Sequence, residues 1–180
     1  MATLKMKMID EENDRSRNMP HLFTHRCDVE NYNKNVFQHL CDSKKTVVEA
    51  IDSISGDLPC SLHKKVLLKI PTDVTKTKGL NKYLSIGEGL LAKICVNIYE
   101  SDGLANGTPC IITKLDSRVP GSSRCSIVWV KICSEDIGKK CRTQYRHLFS
   151  SAVSSSWTPI LETTRKFNIN YYKSFHVTRR

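Results

Sequence analysis

The sequence has 180 residues, 39% of them apolar, and a mean hydropathy of −0.36, which predicts a domain with a buried core rather than a disordered chain. Its 28 Lys and Arg against 18 Asp and Glu give a formal net charge of +10, which favours polyanionic partners or a solvated basic surface. No apolar run approaches the roughly 18 residues of a membrane span. The charged N-terminus excludes a secretory signal, so we expect a nuclear or cytoplasmic protein that is not secreted and has no membrane contact.

The eight cysteines form no C-x-x-C pair and no Cys/His spacing typical of a zinc site. Disulfides are not expected in a chain without a secretory signal. We therefore predict reduced cysteines that mostly serve as small apolar fillers, and no metal site.

Residues 1–19 are polar and unpatterned, which predicts a flexible leader. The apolar residues of 29–40 then recur at i, i+3, i+7, i+8 and i+11, which predicts a helix that Asp28 can cap. Asn33 is off this stripe and is expected to face solvent or a ligand. Downstream, residues 46–54 and 64–70 are predicted strands, and 72–79 is a predicted loop.

The stretch 84–115 has two apolar, β-branched runs on either side of a turn-rich segment. Asn106-Gly107 predicts a type I′ hairpin turn within it, since both residue types tolerate a positive φ. Glu100 and Asp102 lie beside this turn, where surface carboxylates are more common than an acid–base pair. The sequence therefore predicts a hairpin rather than a catalytic centre.

The last third of the chain predicts further short strands at 126–132, 157–161 and 169–177. Residues 138–156 are basic and then serine-rich, which indicates a long loop with one helical turn at most. Closely spaced short strands predict a small β-barrel or curled sheet from residue 84 onward. The order strand, helix, strand in the first 55 residues predicts a piece of an α/β sheet.

One candidate functional pattern is present in the sequence: basic residues interleaved with aromatic residues. Gly87-Glu88-Gly89 and Gly138-Lys139-Lys140 lack the spacing of a phosphate-binding loop, and no catalytic residue is assigned. Phosphate contact is predicted for four residues near Tyr145, a ring that can stack on a base: Lys139, Lys140, Arg142 and Arg146. A second, weaker set ends the chain at Lys173, His176, Arg179 and Arg180.

Six segments in order resemble a Pif-family DNA helicase, most closely the helicase of Helitron-type transposons. The most specific fits the pattern N-[IL]-x-x-x-D-G-L-x-N-G with Asn97, Ile98, Asp102, Gly103, Leu104, Asn106 and Gly107. The other five are His21–Phe23 with Val29 and Asn31–Asn33, Leu67–Leu80, Ile127–Lys131, Trp157–Ile160 and Arg179.

The resemblance implies an α+β fold. A strand–helix–strand piece of a second RecA-like motor domain and a linker would occupy 20–83, and an SH3-like β-barrel insertion would occupy 84–180. It also implies contact with single-stranded DNA. In the full-length family ATP and Mg²⁺ bind between two motor domains, and the phosphate loop is in a domain that this chain lacks. This chain would then bind no cofactor and hydrolyse no ATP by itself, and would work with the missing helicase domains.

Two departures from the family pattern qualify the site. The family usually has Thr-Asn where this chain has His25-Arg26, so the DNA contact implied around Thr24, His25, Arg26 and Asn33 would have a different hydrogen-bond geometry. Cys110 replaces a glycine, which predicts a regular strand from Pro109 onward.

Three interpretations remain open from the sequence. The chain is part of an ATP-dependent helicase that contributes single-stranded DNA contact, a freestanding basic β-barrel that binds nucleic acid, or a decayed transposon-derived reading frame. The oligomeric state is not predicted.

Overall fold

The computed structural model describes residues 21–56, 58–118, 124–169 and 175–179, without the side chains of Arg26, Val74, Phe175 and His176. The predicted leader lies outside the described residues. The described residues form three α-helices: α1 (Arg26–Gln38), α2 (Cys60–Leu67) and α3 (Lys139–Gln144). The described strands are β1 (Lys45–Glu49), β2 (Asp52–Gly56), β3 (Tyr83–Gly87), β4 (Leu91–Lys93), β5 (Pro109–Asp116), β6 (Ile127–Ile132), β7 (Thr158–Leu161), β8 (Arg165–Phe167) and β9 (Phe175–Arg179).

The described strands form three antiparallel sheets. Their orders are β1-β3, β2-β9-β8 and β4-β5-β6-β7. The largest sheet is open, because β4 and β7 remain its edge strands, and a bulge between Ile112 and Lys114 bends β5 within it. The fold is therefore α+β with open sheets, and closure into a barrel is not part of the described pairing.

The four-stranded sheet is covered on both faces because the side chains of β6 alternate between two cores. Val130 and Ile132 join a cluster with Leu104 and Cys141, whereas Trp129 lies in a second cluster on the other face. The Trp129 ring is fully buried and meets the ring of Phe149 edge-on, with 4.9 Å between centroids. The predicted strand with two covered faces is confirmed here.

The helix predicted at 29–40 is confirmed as α1, and the regular strand predicted from Pro109 is confirmed as β5. The predicted cap is wrong, because α1 begins at Arg26 and Asp28 lies inside its first turn. The strand implied at His21–Phe23 is wrong. Residues 21–23 pair with no described strand, and the rings of His21 and Phe23 instead pack on Tyr32 at centroid distances of 4.7 and 5.4 Å.

Two of the predicted strands are wrong in the middle of the chain. Residues 46–54 divide at Ala50 and Ile51 into β1 and β2, which belong to different sheets. Residues 64–67 form the last turn of helix α2, and residues 68–70 follow its end. Val66 on the helix and Ile70 beyond it pack in one core with residues of β8 and β9.

Near the C-terminus the predicted strand at 157–161 is confirmed as β7. The predicted loop 138–156 contains α3 and a 3₁₀ turn at Arg146–Leu148. The predicted strand 169–177 is displaced: its last residues begin β9, residues 170–174 lie outside the described residues, and β8 was not predicted.

All eight cysteines are free thiols. Five are exposed, and only Cys110 and Cys141 are buried, so the expectation that most serve as apolar fillers is wrong. Within the described ranges, no three His, Cys, Asp or Glu side chains are grouped as a metal site would require. No helix in the described part of the chain is long and apolar enough to cross a lipid bilayer.

Candidate nucleic-acid interface

The connection between β4 and β5 contains the segment 97–107, which we call the signature loop. Its sharpest reversal joins Tyr99 and Leu104, whose backbones exchange hydrogen bonds of 3.0 and 3.1 Å. At Asn106-Gly107 the chain also turns, but φ is positive only at Gly107. That pattern is typical of a type II turn, so the predicted type I′ geometry is wrong.

Asp102 caps helix α3 from a distant position in the sequence. Its carboxylate accepts hydrogen bonds from the backbone N–H groups of Lys140 and Cys141, at 3.0 and 2.8 Å, and its carbonyl accepts one from Gly138 at 2.9 Å. The first amides of a helix have no partner inside it, and an anionic acceptor there is favourable. Asp102 is 7% exposed and both of its carboxylate oxygens accept backbone hydrogen bonds, so the expected surface carboxylate is wrong at this position and Asp102 is a buried helix cap.

Helix α3 cannot supply its own cap because its preceding residue is Gly138. This glycine has a φ of +81°, and a Cβ there would lie 2.6 Å from the Thr158 hydroxyl oxygen. The signature loop meets the same constraint at Gly103, where φ is +74° and a Cβ would lie 2.9 Å from a side-chain carbon of Ile137. Gly103 therefore lets the signature loop approach Ile137 closely, and Gly138 lets the start of α3 approach β7.

The signature loop is also braced internally by side-chain hydrogen bonds. The amide oxygen of Asn97 accepts the backbone N–H of Asn106 at 2.8 Å, and its NH₂ group donates to the Glu100 carboxylate. The Thr108 hydroxyl donates to the carbonyl of Gly103 at 3.0 Å. These contacts fix the loop shape that aims Asp102 at α3.

Two further residues attach the signature loop to its surroundings. Leu104 is fully buried in the core of the four-stranded sheet. The Tyr99 hydroxyl donates to the side-chain oxygen of Gln144 at 2.8 Å, which fastens the loop to the C-terminal end of α3. The loop thus holds α3 at both ends.

Three of the predicted phosphate-binding residues are exposed on or just after α3. Lys139 is 63% exposed and pairs with Asp136 at 2.7 Å, and this ammonium group holds the pKa of Asp136 below its usual value. The Lys140 ammonium lies 3.4 Å from both the carbonyl and the hydroxyl oxygens of Ser101. Arg146 is exposed in the 3₁₀ turn that follows α3. The signature loop therefore borders a basic, solvent-facing surface.

Arg142 differs from these three, and the structure gives it an internal role. Its guanidinium donates to the carbonyl oxygens of Ile137 and Glu135 at 2.8 and 2.6 Å, and to the Thr158 hydroxyl at 3.0 Å. These bonds join α3 to the segment before it and to β7. The predicted phosphate contact is corrected accordingly, because Arg142 uses its donors to hold the site together.

The N-terminal candidates lie on a different element. Thr24 and His25 are exposed just before α1, and Asn33 is exposed on the helix, as its place off the apolar stripe predicts. The side chain of Arg26 lies outside the described residues. Helix α1 packs against β3, whereas α3 packs against β7 and the signature loop, so these two sets of candidates do not share an element.

Packing around α3 and the signature loop changes the pKa values of two side chains, Cys141 and Tyr145. Burial raises the pKa of the Cys141 thiol to about 11, and the Asp102 carboxylate adds to the shift. A hydrogen bond with Tyr99 raises the pKa of Tyr145. The site is thus built on neutral thiol and phenol groups and presents the charges of its lysines to solvent.

Sequence reasoning missed the cap and the Tyr99–Gln144 contact. One signal for the cap was available. A helix that follows Gly138 directly, with no Ser, Thr, Asp or Asn before it, needs an acceptor from another part of the chain.

Comparisons with known proteins give partial structural likenesses. No protein-family model matches the sequence, and no significant match is found among curated proteins. Among solved structures, the chain is similar to a Pif1 helicase from Candida albicans, with a TM-score of 0.46 and 14% identity over 87% of this chain. It is also similar to a chain from a study of DNA unwinding at forked double-stranded DNA by two coordinating Pif1 helicases, with a TM-score of 0.42 and 16% identity over 86% of this chain. The chain spans only 32% and 25% of those two chains, and at these scores the likeness does not assign a family.

Proposed function

We propose that this chain is part of a Pif-type DNA helicase, of the Helitron branch, and that it contributes contact with single-stranded DNA. The observation that carries the proposal is the signature loop: its pattern resembles that of these helicases, and here it holds a short helix that presents Lys139 and Lys140 to solvent. Arg146 extends the same basic segment. The loop and α3 would act as one unit on the DNA side of the protein.

The physical case for DNA contact is electrostatic. Lysine and arginine side chains that neutralise phosphates release condensed counterions, which gives sequence-independent and salt-dependent binding. The formal net charge of +10 favours the approach of a polyanion. Tyr145 lies half-buried between α3 and the 3₁₀ turn, where its ring is a candidate stacking surface.

The proposal that the chain works as part of a larger protein is supported by exposed apolar surface. Val47 and Tyr83 are diagonal neighbours on one face of the β1-β3 ladder, and they are 54% and 56% exposed. Leu84, on the opposite face of the ladder, and Ile51, after the end of β1, are 47% and 45% exposed. A two-stranded ladder is marginal in water without a covering layer, so further structure over this face would account for its apolar composition.

In this proposal the chemistry of ATP lies elsewhere in the helicase. ATP and Mg²⁺ would bind between the two motor domains, and the four-stranded sheet would belong to the SH3-like insertion. The purified 180-residue chain is then expected to show no DNA-stimulated ATPase activity, and such activity would refute this division of labour.

The test of DNA contact is fluorescence anisotropy with a labelled oligothymidylate, titrated at several salt concentrations. Three phosphate contacts predict a slope of about −2 in log K against log salt, at about 0.7 for each contact on a single strand. Replacing Lys139 and Lys140 together by glutamine should reduce the magnitude of that slope by about 1.4.

The chain offers a matched control on α2. Lys64 and Lys65 are also adjacent, exposed and helical, and their replacement by glutamine changes the net charge equally. The control should keep the wild-type slope. Equal losses in both double variants would show attraction by net charge alone, and absence of salt-dependent binding in the wild type would overturn the DNA contact itself.

A freestanding nucleic-acid-binding module is the second candidate, and the net charge favours it equally. The two candidates differ at the exposed β1-β3 face. Replacing Val47 and Tyr83 by polar residues should not impair a freestanding module, but it should disrupt a helicase in which that face is covered.

A further inference from the structure

We infer that Asp102 is a positioning residue for nucleic-acid contact, which holds Lys139 and Lys140 in place without touching the nucleic acid itself. This inference rests on the proposed DNA contact and goes beyond it. It gives the signature loop an indirect role, exerted through the start of α3.

The first step is the direct link between the carboxylate and the backbone of a basic residue. Asp102 accepts the N–H of Lys140 itself at 3.0 Å and that of Cys141 at 2.8 Å. The Lys140 ammonium rests on Ser101, the residue before Asp102, at 3.4 Å. Both ends of Lys140 are therefore fixed by two adjacent residues of the loop.

The second step is the length of the helix. α3 has six residues, and helices this short do not persist in water without tertiary contacts. Lys139 and Lys140 are its first two residues, in the turn that frays first when a cap is removed. Loss of the cap would therefore disperse the two ammonium groups that the proposal places opposite phosphates.

The third step is the burial of the Asp102 charge. An exposed carboxylate beside two lysines would repel a phosphate, but Asp102 is 7% exposed and both of its oxygens accept backbone hydrogen bonds. Its charge is directed into the helix terminus. Asp102 is therefore placed to position α3, and its charge does not face the DNA.

The experiment compares Asp102→Ala and Asp102→Asn with the wild-type chain by two readouts. The first is amide hydrogen exchange at Lys140 and Cys141, which should accelerate about fivefold or more when a cap of ordinary strength is lost. The second is the salt-dependent affinity for oligothymidylate. Its slope should fall in magnitude by about 1.4 in Asp102→Ala, as in the Lys139/Lys140 double variant. Asp102→Asn keeps one carbonyl oxygen as an acceptor and should be intermediate. If Asp102→Ala does not fold, both readouts are taken from Asp102→Asn instead.

Two controls separate positioning from general destabilisation. Asp52→Ala removes the carboxylate paired with Arg179 between β2 and β9 and changes the net charge as Asp102→Ala does, but it leaves the cap in place, so it should keep the wild-type salt slope. In a double-mutant cycle, Asp102→Ala should have no further effect on DNA affinity once Lys139 and Lys140 are replaced by glutamine.

The outcomes distinguish this inference from the proposed function. Faster amide exchange with an unchanged salt slope in the Asp102 variants would overturn the inference and leave the DNA contact standing. An equal affinity loss for Asp102→Ala with and without the two lysines would overturn it as well. A wild-type chain without salt-dependent binding would overturn the proposed function and the inference together.

Discussion

The buried pair of Asp52 and Arg179 provides the sharpest prediction about the fold. These residues lie opposite each other in the β2-β9 ladder, and the guanidinium donates to both carboxylate oxygens at 2.7 Å. Arg179 is 1% exposed and also donates to the Leu80 carbonyl at 3.1 Å, while its guanidinium lies 5.7 Å from the centre of the Phe167 ring. The weaker DNA-binding prediction for Arg179 is thus corrected, because its side chain is enclosed and paired.

Replacing Asp52 by alanine leaves the buried guanidinium without its counter-ion. Removing one partner of such a pair costs about 3–5 kcal/mol of unfolding free energy. At about 2–4 °C per kcal/mol for a chain of this size, the melting temperature should fall by about 6–20 °C. Urea unfolding followed by circular dichroism measures the free energy, and the denaturant slope should stay constant if both states keep their compactness.

The exposed pair of Lys139 and Asp136 is the control, since it has the same 2.7 Å separation. Asp136→Ala should lower the free energy of unfolding far less than Asp52→Ala, because solvent screens exposed ion pairs. Replacing Asp52 by leucine and Arg179 by methionine together should recover most of the lost stability. A cost below about 1 kcal/mol for Asp52→Ala, or an equal cost for Asp136→Ala, would refute this account of the pair.

Three further predictions concern backbone space, thiol exposure and thiol ionisation. Gly103→Ala should be more destabilising than Gly107→Ala in thermal unfolding, since both positions have positive φ but only a Cβ at 103 meets a neighbour, at 2.9 Å; equal losses would contradict the close packing on Ile137. A thiol reagent should label about five cysteines in the folded chain and all eight in denaturant, matching the five exposed thiols. The raised pKa of Cys141, about 11 against 9.0 for an ordinary thiol, favours the protonated form in the folded state, so its contribution to stability is present below pH 9 and is lost as pH rises from 9 toward 11. Cys141→Ala should reduce that alkaline loss in pH-dependent unfolding, and an identical pH profile would contradict the assignment.

The elements that sequence reasoning predicted correctly are those in which a local pattern determines the structure. The apolar stripe of α1 and the alternation of β6 across two faces are visible in short windows of sequence. The run at 64–70 was misread because a short apolar segment fits both a strand and a buried helix face. Only the packing of Val66 and Ile70 in one core distinguishes them.

A second limit of sequence-based prediction appears at the candidate site: the sequence does not show which acceptors surround each basic side chain. Arg142 and Lys140 are equivalent in sequence terms, since both are cations in one basic segment. In the structure Arg142 is occupied by the carbonyl oxygens of Glu135 and Ile137, whereas the Lys140 side chain remains exposed. Charge composition indicates that a basic surface exists, and the acceptors around each cation decide which residues can reach a phosphate.

The packing contacts of the signature loop also change the interpretation of its sequence pattern. Its aspartate caps α3, its leucine fills the core, and its first glycine permits both a positive φ and the approach of Ile137. These three residues are explained by the packing of the loop against α3 and the sheet core, without any contact with a ligand. The pattern therefore reflects how the loop packs. A substitution within it would lower DNA affinity as the loss of a binding residue does, but it would act by displacing α3. Separating these effects requires variants of Lys139 and Lys140, which leave the Asp102 cap, the buried Leu104 and the Tyr99–Gln144 hydrogen bond in place.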